Sequence, residues 1–261
     1  MAEAPRLWPM MALFMSVLHA PLSAQAAPAQ GSAHTLTVRV GDGAIDGTRL
    51  VPYENAWLMS AHAKDGRVIE QGIWSDLLRL QEVDGRRVCV RTQGMTYRKG
   101  LSSFTINTFD PATLAPISSE VHGAQGKVVT RTFAGAHIET RITPSGGTSE
   151  SSQADLPVPV FDFNGGMYGL LLATQKLVLG MTGALPAVAE FTNDYEVISY
   201  KVVGRERVQV GTREEIDTWV VEVGDPVSLR FWISERAPYI IRLVIPGPQV
   251  DIHYDMIRQG R

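Results

Sequence analysis

The residue types best suited to chemistry stand together near the end of the chain, as Asp251, His253 and Asp255. The intervening Ile252 and Tyr254 are apolar, and this alternation predicts a β-strand whose three polar side chains share one face. Carboxylate and imidazole groups together suit a divalent metal ion. An ordinary solvated polar face explains the same pattern, since same-face neighbours on a strand are widely spaced for one ion. We therefore expect no cofactor and keep these three residues as the metal candidate.

Sequence motifs of common enzyme classes are missing from the chain. It has no Gly-x-Ser-x-Gly nucleophile elbow, no Gly-x-x-x-x-Gly-Lys-Ser/Thr phosphate loop, no Gly-x-Gly-x-x-Gly fingerprint and no His-Glu-x-x-His zinc motif. The single cysteine, Cys89, lies between Val88 and Val90, a setting typical of a small buried apolar residue. The sequence therefore indicates a protein that is not an enzyme. A hydrolase stays open if His253 meets a serine or an acid from a distant strand in a cleft.

The composition is that of a globular protein held together by its core. Hydrophobic residues make up 44% of the 261 residues, charged residues make up 20%, and the net charge is −3. A lone cysteine cannot form a disulfide within the chain. No run of basic residues forms a footprint for nucleic acid, so we expect no nucleic-acid partner. The composition leaves the oligomeric state open.

The N-terminal segment has the pattern of a secretory signal peptide. Arg6 precedes an apolar run over residues 7–18, and Ala-Gln-Ala at 24–26 follows as a cleavage pattern. The apolar run is too short to span a bilayer. The alternative is an N-terminal helix of the mature protein. We expect residues 1–26 to be removed on export and residues 27–261 to lack a transmembrane segment.

Most of the remaining sequence predicts short β-strands. Apolar and polar residues alternate with period two, and turn residues separate the alternating segments. Connections this short favour antiparallel neighbours, because parallel strands need long crossovers. Asp84-Gly85 is a strong two-residue hairpin signal, and Asp110-Pro111 fits the start of a type I turn. The alternation is clearest in segments 197–202, 219–223, 229–233, 241–245 and 250–256.

One segment predicts a helix instead of a strand. Asn164 is a suitable N-cap, and Met167, Leu171 and Val178 lie at helical spacing. Further leucines make the segment apolar almost all round, which is typical of a buried helix. Gly180 can end it.

The fold class that these elements predict is mainly β (α+β). The economical packing is a strongly curved antiparallel half-barrel wrapped around one buried helix. We expect a single domain over residues 27–261, because neither β segment covers its own apolar face alone. Residues 144–157 are polar and rich in Ser and Gly, which predicts a flexible loop before the helix.

Three stretches of the sequence carry a resemblance to a known group. They are Thr-Phe-Asp-Pro-Ala-Thr-Leu-Ala-Pro at 108–116, Val-Phe-Asp-Phe-Asn at 160–164, and the closing hairpins over 210–239. In this order they resemble periplasmic proteins of unknown function that are grouped with lipoprotein carriers of the LolA/LolB type. The resemblance implies a curved half-barrel with a helix in its mouth, whose concave face shelters acyl chains in the carriers. The Ser/Gly-rich loop and residues 179–183, where relatives are more basic, depart from the pattern.

Several strands carry apolar residues on the face that the alternation assigns to the outside. They are Val220, Trp232, Ile240 and Val244. An antiparallel sheet with one wet face is more polar than this. Packing beneath the first β segment or a dimer contact explains these residues, and so does an apolar cavity lined by one of the faces.

The function that we expect is non-enzymatic binding of a hydrophobic ligand in the periplasm. The partner would be a lipid or an acylated protein, and movement of the helix or of the 144–157 loop would gate its entry. A protein-interaction module that uses exposed strand edges is the alternative, which a filled interior would favour. The candidate lining residues are Met167, Leu171, Trp219, Phe231 and Leu243.

Overall fold

The computed structural model describes residues 35–98, 100, 102–162, 167–188, 193–211, 214–224 and 226–260, and it describes side chains as far as Ile257. The predicted signal peptide and the predicted cap at Asn164 lie outside these residues. Within them, no helix has the length and hydrophobicity that crossing a bilayer requires.

The described residues form sixteen strands, one α-helix and one short 3-10 helix, Gly47–Arg49. The strands are β1 (Leu36–Thr37), β2 (Tyr53–Ala63), β3 (Val68–Val83), β4 (Arg86–Tyr97), β5 (Ser102–Phe109), β6 (Pro116–His122), β7 (Val128–Ala134), β8 (His137–Thr143), β9 (Glu150–Asp155), β10 (Phe161–Asp162), β11 (Thr182–Val188), β12 (Tyr195–Val210), β13 (Glu214–Val223), β14 (Leu229–Ile233), β15 (Ile240–Ile245) and β16 (Val250–Gly260). The α-helix, α1, is Tyr168–Ala173 and lies between β10 and β11 in the chain.

All the strands belong to one open sheet, with the order β1-β11-β12-β13-β14-β15-β16-β2-β3-β4-β5-β6-β7-β8-β9 and β10 beside β11. The short strands β1 and β10 run parallel to β11, and every other pairing is antiparallel. The last strand, β16, pairs with β2, so the start and the end of the fold meet in the middle of the sheet. The prediction of a mainly β, antiparallel protein is confirmed.

The hairpin predicted at Asp84-Gly85 joins β3 to β4. Both residues have positive φ, 51° and 72°, as a two-residue turn of the hairpin type requires. Pairing continues without a register shift from Val83 opposite Arg86 to Gly72 opposite Tyr97. Here the local turn signal fixes the register of two long strands.

The sheet curves enough to bring strands from its two ends together. Ile138 of β8 packs with Val160 and with Val188 of β11, although these strands lie near opposite ends of the order. Close by in the chain, the Thr140 hydroxyl donates to Asn193 Oδ1 at 2.6 Å. Among the described residues, side chains join this seam, and β8 and β11 are not paired in a backbone ladder.

The helix is shorter than the sequence pattern predicts. It ends at Ala173 because two polar side chains bind carbonyl oxygens of its last turn. The Thr174 hydroxyl donates to Leu170 O at 2.9 Å, and Gln175 Nε2 donates to Leu171 O at 3.1 Å. The extension to Val178 was wrong, and that side chain is 52% exposed.

A β-bulge changes the faces predicted for β15. Arg242 is opposite Trp232, but Ile240 is opposite Ile233, so Ile241 is an extra residue on this strand. Ile240 therefore belongs to the main core and Ile241 to the opposite face. The assignment of Ile240 to the outer face was wrong, because simple alternation cannot detect a bulge.

The outer apolar stripe is covered by a hairpin of the chain itself. The pairing of β12 with β13 shifts between Val202 and Gly204, and the end of this hairpin packs over β14 and β15. Trp232 Nε1 donates to Glu206 Oε2 on the hairpin at 2.7 Å. The buried members of this cluster are Val208, Val220, Trp232, Ile241 and Val244.

The segment predicted as a flexible loop contains a strand. Its middle, β9, pairs antiparallel with β8 from Glu150 opposite Ile142 to Asp155 opposite His137. Polar side chains are compatible with this position because β9 is an edge strand and its residues are almost all exposed.

Candidate functional site

The predicted lining residues lie in and around the main core. Met167, Leu171, Phe231 and Leu243 are buried members of one apolar cluster, and Phe231 is directly opposite Leu243 across β14 and β15. Trp219 packs at the margin of this cluster and is half-buried. Its Nε1 donates to Glu235 at 3.1 Å. Met167 and Leu171 belong to the helical segment, and Phe231 and Leu243 belong to β14 and β15, the strands that α1 contacts.

Helix α1 lies very close to β14 and β15. Five of its six residues are buried, and only Tyr168 is half-buried. At Gly169 a Cβ atom would lie 2.2 Å from Ile240 Cδ1, so a glycine is what permits this approach. The Tyr168 ring lies 6.4 Å from the ring of Phe231, between centroids. The side chain of Met167, at the N-cap position, makes no capping hydrogen bond to the helix backbone.

The space on the other side of the helix is almost filled. A cavity of about 10 Å³ lies beside Met167 and Leu171, bounded by residues of β5, β6 and β10. This is about the space that one water molecule needs. The structure therefore shows the region of the predicted ligand in a closed, packed form.

A buried ion pair supports the start of the helix. Arg91 and Asp76 have fully buried side chains, and their two hydrogen bonds measure 2.9 and 2.6 Å. Tyr53 donates to the same carboxylate at 3.0 Å, and Arg91 Nη1 lies 3.5 Å from Met167 Sδ. Burial opposes the charge of Arg91, but Asp76 and Tyr53 outweigh it and raise the pKa of the guanidinium. Burial also raises the pKa of Tyr53.

The ion pair begins a row of polar side chains along the inner face of the sheet. Its members are direct cross-strand neighbours from β4 to β8, and all of them are buried. They are Arg91, Asn107, Ser119, Arg131 and Thr140. Asn107 Nδ2 also donates to Asp162 Oδ2 of β10 at 3.1 Å. One interior face is thus apolar around α1 and polar along this row.

This polar row is not among the residues predicted from the sequence. The signal was present, because Asp76 lies two residues from each of the apolar Trp74 and Leu78 and so shares their face, which is predicted to be buried. The polar residues of β4, β5 and β7 can be recognised as neighbours only when the register between these strands is known. The sequence does not provide that register.

The pairing of β16 with β2 changes which residues of the predicted metal site lie close together. Asp251 binds Lys64 Nζ at 2.6 Å and takes no part in the cluster. His253 instead stacks on His62 of β2, with ring centroids 3.8 Å apart and an angle of 17° between the planes. Donor atoms of these two rings and of Asp255 all lie within 4.8 Å of one another. Burial and the neighbouring His62 lower the pKa of His253.

Cys89 is buried, as predicted. Its side chain lies in the main core between β3 and β5. Burial raises the pKa of the thiol to about 11. A thiol with this pKa is a poor nucleophile at neutral pH.

Residues 78–251, about two thirds of the chain, match the model of a family described as "Protein of unknown function (DUF3108)". The chain belongs to the DUF3108 family. The prediction of a family of unknown function is thereby confirmed, and the grouping with carriers of the LolA/LolB type stays a prediction.

The DUF3108 chain is also similar to a solved structure, "Crystal Structure of Beta-barrel-like Protein of Domain of Unknown Function DUF1849 from Brucella abortus". The TM-score is 0.43 and the identity 10%, over 81% of this chain and 98% of that chain. No curated protein matches the sequence.

Proposed function

We propose that this DUF3108 protein is a non-enzymatic binding protein of the bacterial periplasm, whose ligand is a lipid or the acyl chain of a lipidated partner. The observation that carries the proposal is α1: a six-residue apolar helix, uncapped by its N-cap side chain and packed on apolar strands. In this proposal the curved sheet is a half-barrel that wraps around the helix. Residues 1–26 would direct export and then be removed.

Displacement of α1 is the step that would admit the ligand. Isolated helices this short are unstable in water, so α1 depends on packing for its structure. When the helix moves out, the apolar surface around Phe231, Leu243 and Ile240 becomes available. The packed interior then represents the ligand-free state.

The replacement of α1 by a ligand should depend on the length of the acyl chain, because the acyl chain must replace the packing energy of the helix. Leu170, Leu171 and Leu172 are fully buried, and each such side chain contributes about 1.5–3 kcal/mol. An acyl chain gains about 0.8 kcal/mol per buried CH₂ group, so roughly six to eleven groups match the three leucines. Long acyl chains should therefore bind and short ones should not.

Mass spectrometry of organic extracts tests the proposal first, with the exported protein purified without detergent. We expect a stoichiometric lipid or another apolar molecule with a long chain. Titration with fluorescent fatty acids of increasing length should show binding only for the longer chains. No apolar molecule in the extract and no uptake at any length would contradict the proposal.

A pair of variants tests the role of the helix. Leu170→Ala weakens the packing of α1 but leaves the receiving strands intact, so fatty-acid affinity should rise because more molecules are open. Ile138→Ala removes an equally buried side chain at the seam, away from α1. Its affinity should stay at the level of the natural chain. Equal affinities for both variants would exclude gating by α1.

The filled interior favours a second candidate, an interaction module of the cell envelope. The β9 edge pairs with β8 on one side, and no strand occupies its other side within the described residues. A partner could add a strand there. Slower hydrogen exchange of the β9 amides on addition of an envelope extract, together with a protein free of lipid, would favour this candidate.

A further inference from the structure

The outer face of the β2–β16 pair carries two stacked histidines. His62 and His253 come from strands about 190 residues apart in the chain, and the register places each opposite a neighbour of the other. Both side chains are half-buried, so solvent reaches them. The rings stack face to face with centroids 3.8 Å apart, and one nitrogen of each ring lies within 4.8 Å of a nitrogen of the other.

Two imidazoles and one carboxylate form a donor set typical of transition metals. The third donor is Asp255, which shares the face of His253 and lies with both rings inside a 4.8 Å spread. Donor atoms on one tetrahedral zinc ion are about 3.4 Å apart, since each bond measures about 2.0–2.2 Å. Binding therefore requires the two rings to rotate out of the stacked arrangement, because a metal ion lies in the plane of an imidazole that binds it.

The surrounding charges restrict what can bind. Arg242 Nε holds Asp255 Oδ1 at 2.5 Å, which leaves the second carboxylate oxygen for an ion. Lys64 is paired with Asp251 and does not neutralise Asp255. Ser60 Oγ lies 2.9 Å from His62 Nε2, so one nitrogen of that ring has a partner and the other can face a metal. This arrangement resembles the support that outer polar groups give to ligating histidines.

We infer that His62, His253 and Asp255 form a binding site for a divalent transition metal of the zinc type, with solvent completing the coordination. The site bridges the strand pair that joins the two halves of the sheet. Binding to the folded state alone stabilises it by mass action, so the ion would hold the first and last long strands together. This inference is independent of the proposed acyl ligand.

Calorimetric titration of the untagged full chain with Zn²⁺ tests the inference. We expect saturable binding of one ion, and an unfolding temperature that rises with the Zn²⁺ concentration. Mg²⁺ should produce neither effect, because it prefers oxygen donors. No saturable Zn²⁺ binding by the natural chain would overturn the inference.

Variants locate the ion. His62→Gln and His253→Gln should each lower the Zn²⁺ affinity by about tenfold or more, and Asp255→Asn should also weaken binding. Arg242→Met removes the cation that competes for the carboxylate, so it should strengthen binding. The circular dichroism of each metal-free variant shows whether it is folded.

Two histidines elsewhere serve as matched controls. His122 pairs with Glu120, and His137 pairs with Asp155, so each joins imidazole to carboxylate without a second histidine. His122→Gln and His137→Gln should leave the affinity unchanged. If the control variants lose as much affinity as the His62 and His253 variants, the binding is scattered over the surface and the inference fails.

Discussion

The buried pair of Asp76 and Arg91 is the residue-scale feature on which the interior depends most. Its two charges are removed from water, and the two hydrogen bonds together with Tyr53 compensate for that loss. The pair also contacts Met167 at the start of α1. A charge left alone here would have no solvent to stabilise it.

Arg91→Met should lower the free energy of unfolding by about 3–5 kcal/mol, because it leaves Asp76 buried and unpaired. The double variant Asp76→Leu with Arg91→Met should recover most of this loss, since no buried charge remains. Urea unfolding of the three chains measures both effects. Arg207→Met is the control: this exposed arginine pairs with Asp217 in solvent, and its loss should change the free energy of unfolding far less. An equal loss in both single variants would contradict the argument.

Cys89 should react only slowly with thiol reagents in the native protein. Its thiol is buried and keeps its proton up to a pKa of about 11, so the thiolate that reacts is scarce at pH 8. Reaction with a chromogenic disulfide should be slow in buffer and complete in guanidinium chloride. Rapid reaction of the folded chain would show that the region around β4 opens readily.

The raised pKa of Cys89 also makes the stability of the fold depend on pH. The unfolded chain releases the thiol proton first, near its ordinary pKa of 9.0, while the native chain retains it. The contribution of the Cys89 thiol to the free energy of unfolding is therefore fully present below pH 9 and declines between pH 9 and about 11. Cys89→Ala should remove this part of the pH dependence.

At the scale of residues, the sequence predicted which side chains are buried better than it predicted which side chains contact one another. Cys89 and four of the five lining candidates are buried, and only Trp219 is half-buried. The partner of His253 was not predictable, because His62 meets it only through the register of β16 on β2. Asp251 was lost from the metal candidate for the same reason, since Lys64 is brought to it by that pairing.

At the scale of elements, the end of the β12–β13 hairpin acts as a cover for the outer apolar stripe. Val208 is on the inner face of this cover and is only 5% exposed, although it lies on a strand with mostly exposed neighbours. Glu206 fixes the cover by accepting a hydrogen bond from Trp232. Neither a dimer contact nor the first β segment is needed to bury the stripe.

Val208→Asp should release the cover, because an unpaired carboxylate cannot remain in this cluster. The stripe around Trp232 and Ile241 would then meet water, which should increase dye binding to apolar surface and promote self-association. Val197→Asp is the matched control, since Val197 is on the same strand and 57% exposed. Light scattering and dye fluorescence distinguish the two variants. A monomeric Val208→Asp protein with unchanged dye binding would show that the stripe is buried in another way.

Local signals determined which elements could be predicted. The Asp84-Gly85 turn and the strands on either side are as expected, because two adjacent residues carry the whole signal. The bulge at Ile241 and the early end of α1 were missed. Both depend on contacts with other elements, and the apolar pattern continues unchanged through each position.

At the scale of the whole molecule, the pairing of β16 with β2 joins the two halves of the sheet. Trp57 of β2 shows the connection, because its Nε1 donates to Ile240 O of β15 at 3.1 Å. Its ring also stacks on Trp74 of β3, with centroids 4.3 Å apart. The sequence predicted the antiparallel sheet but not this junction, since strands so far apart in the chain leave no local signal of their pairing.

Because the main core takes residues from both halves, neither half should fold alone. A chain split after Asp162 separates β1–β10 from α1 and β11–β16, which divides the core around Trp57 and Phe231. Each fragment should lack near-ultraviolet circular dichroism and a cooperative unfolding transition, and mixing them should restore both. The intact chain should unfold in one transition, with tryptophan fluorescence and far-ultraviolet dichroism coincident. If either fragment unfolds cooperatively by itself, the sheet consists of two domains. A metal bound between β2 and β16 would then stabilise the interface between those domains.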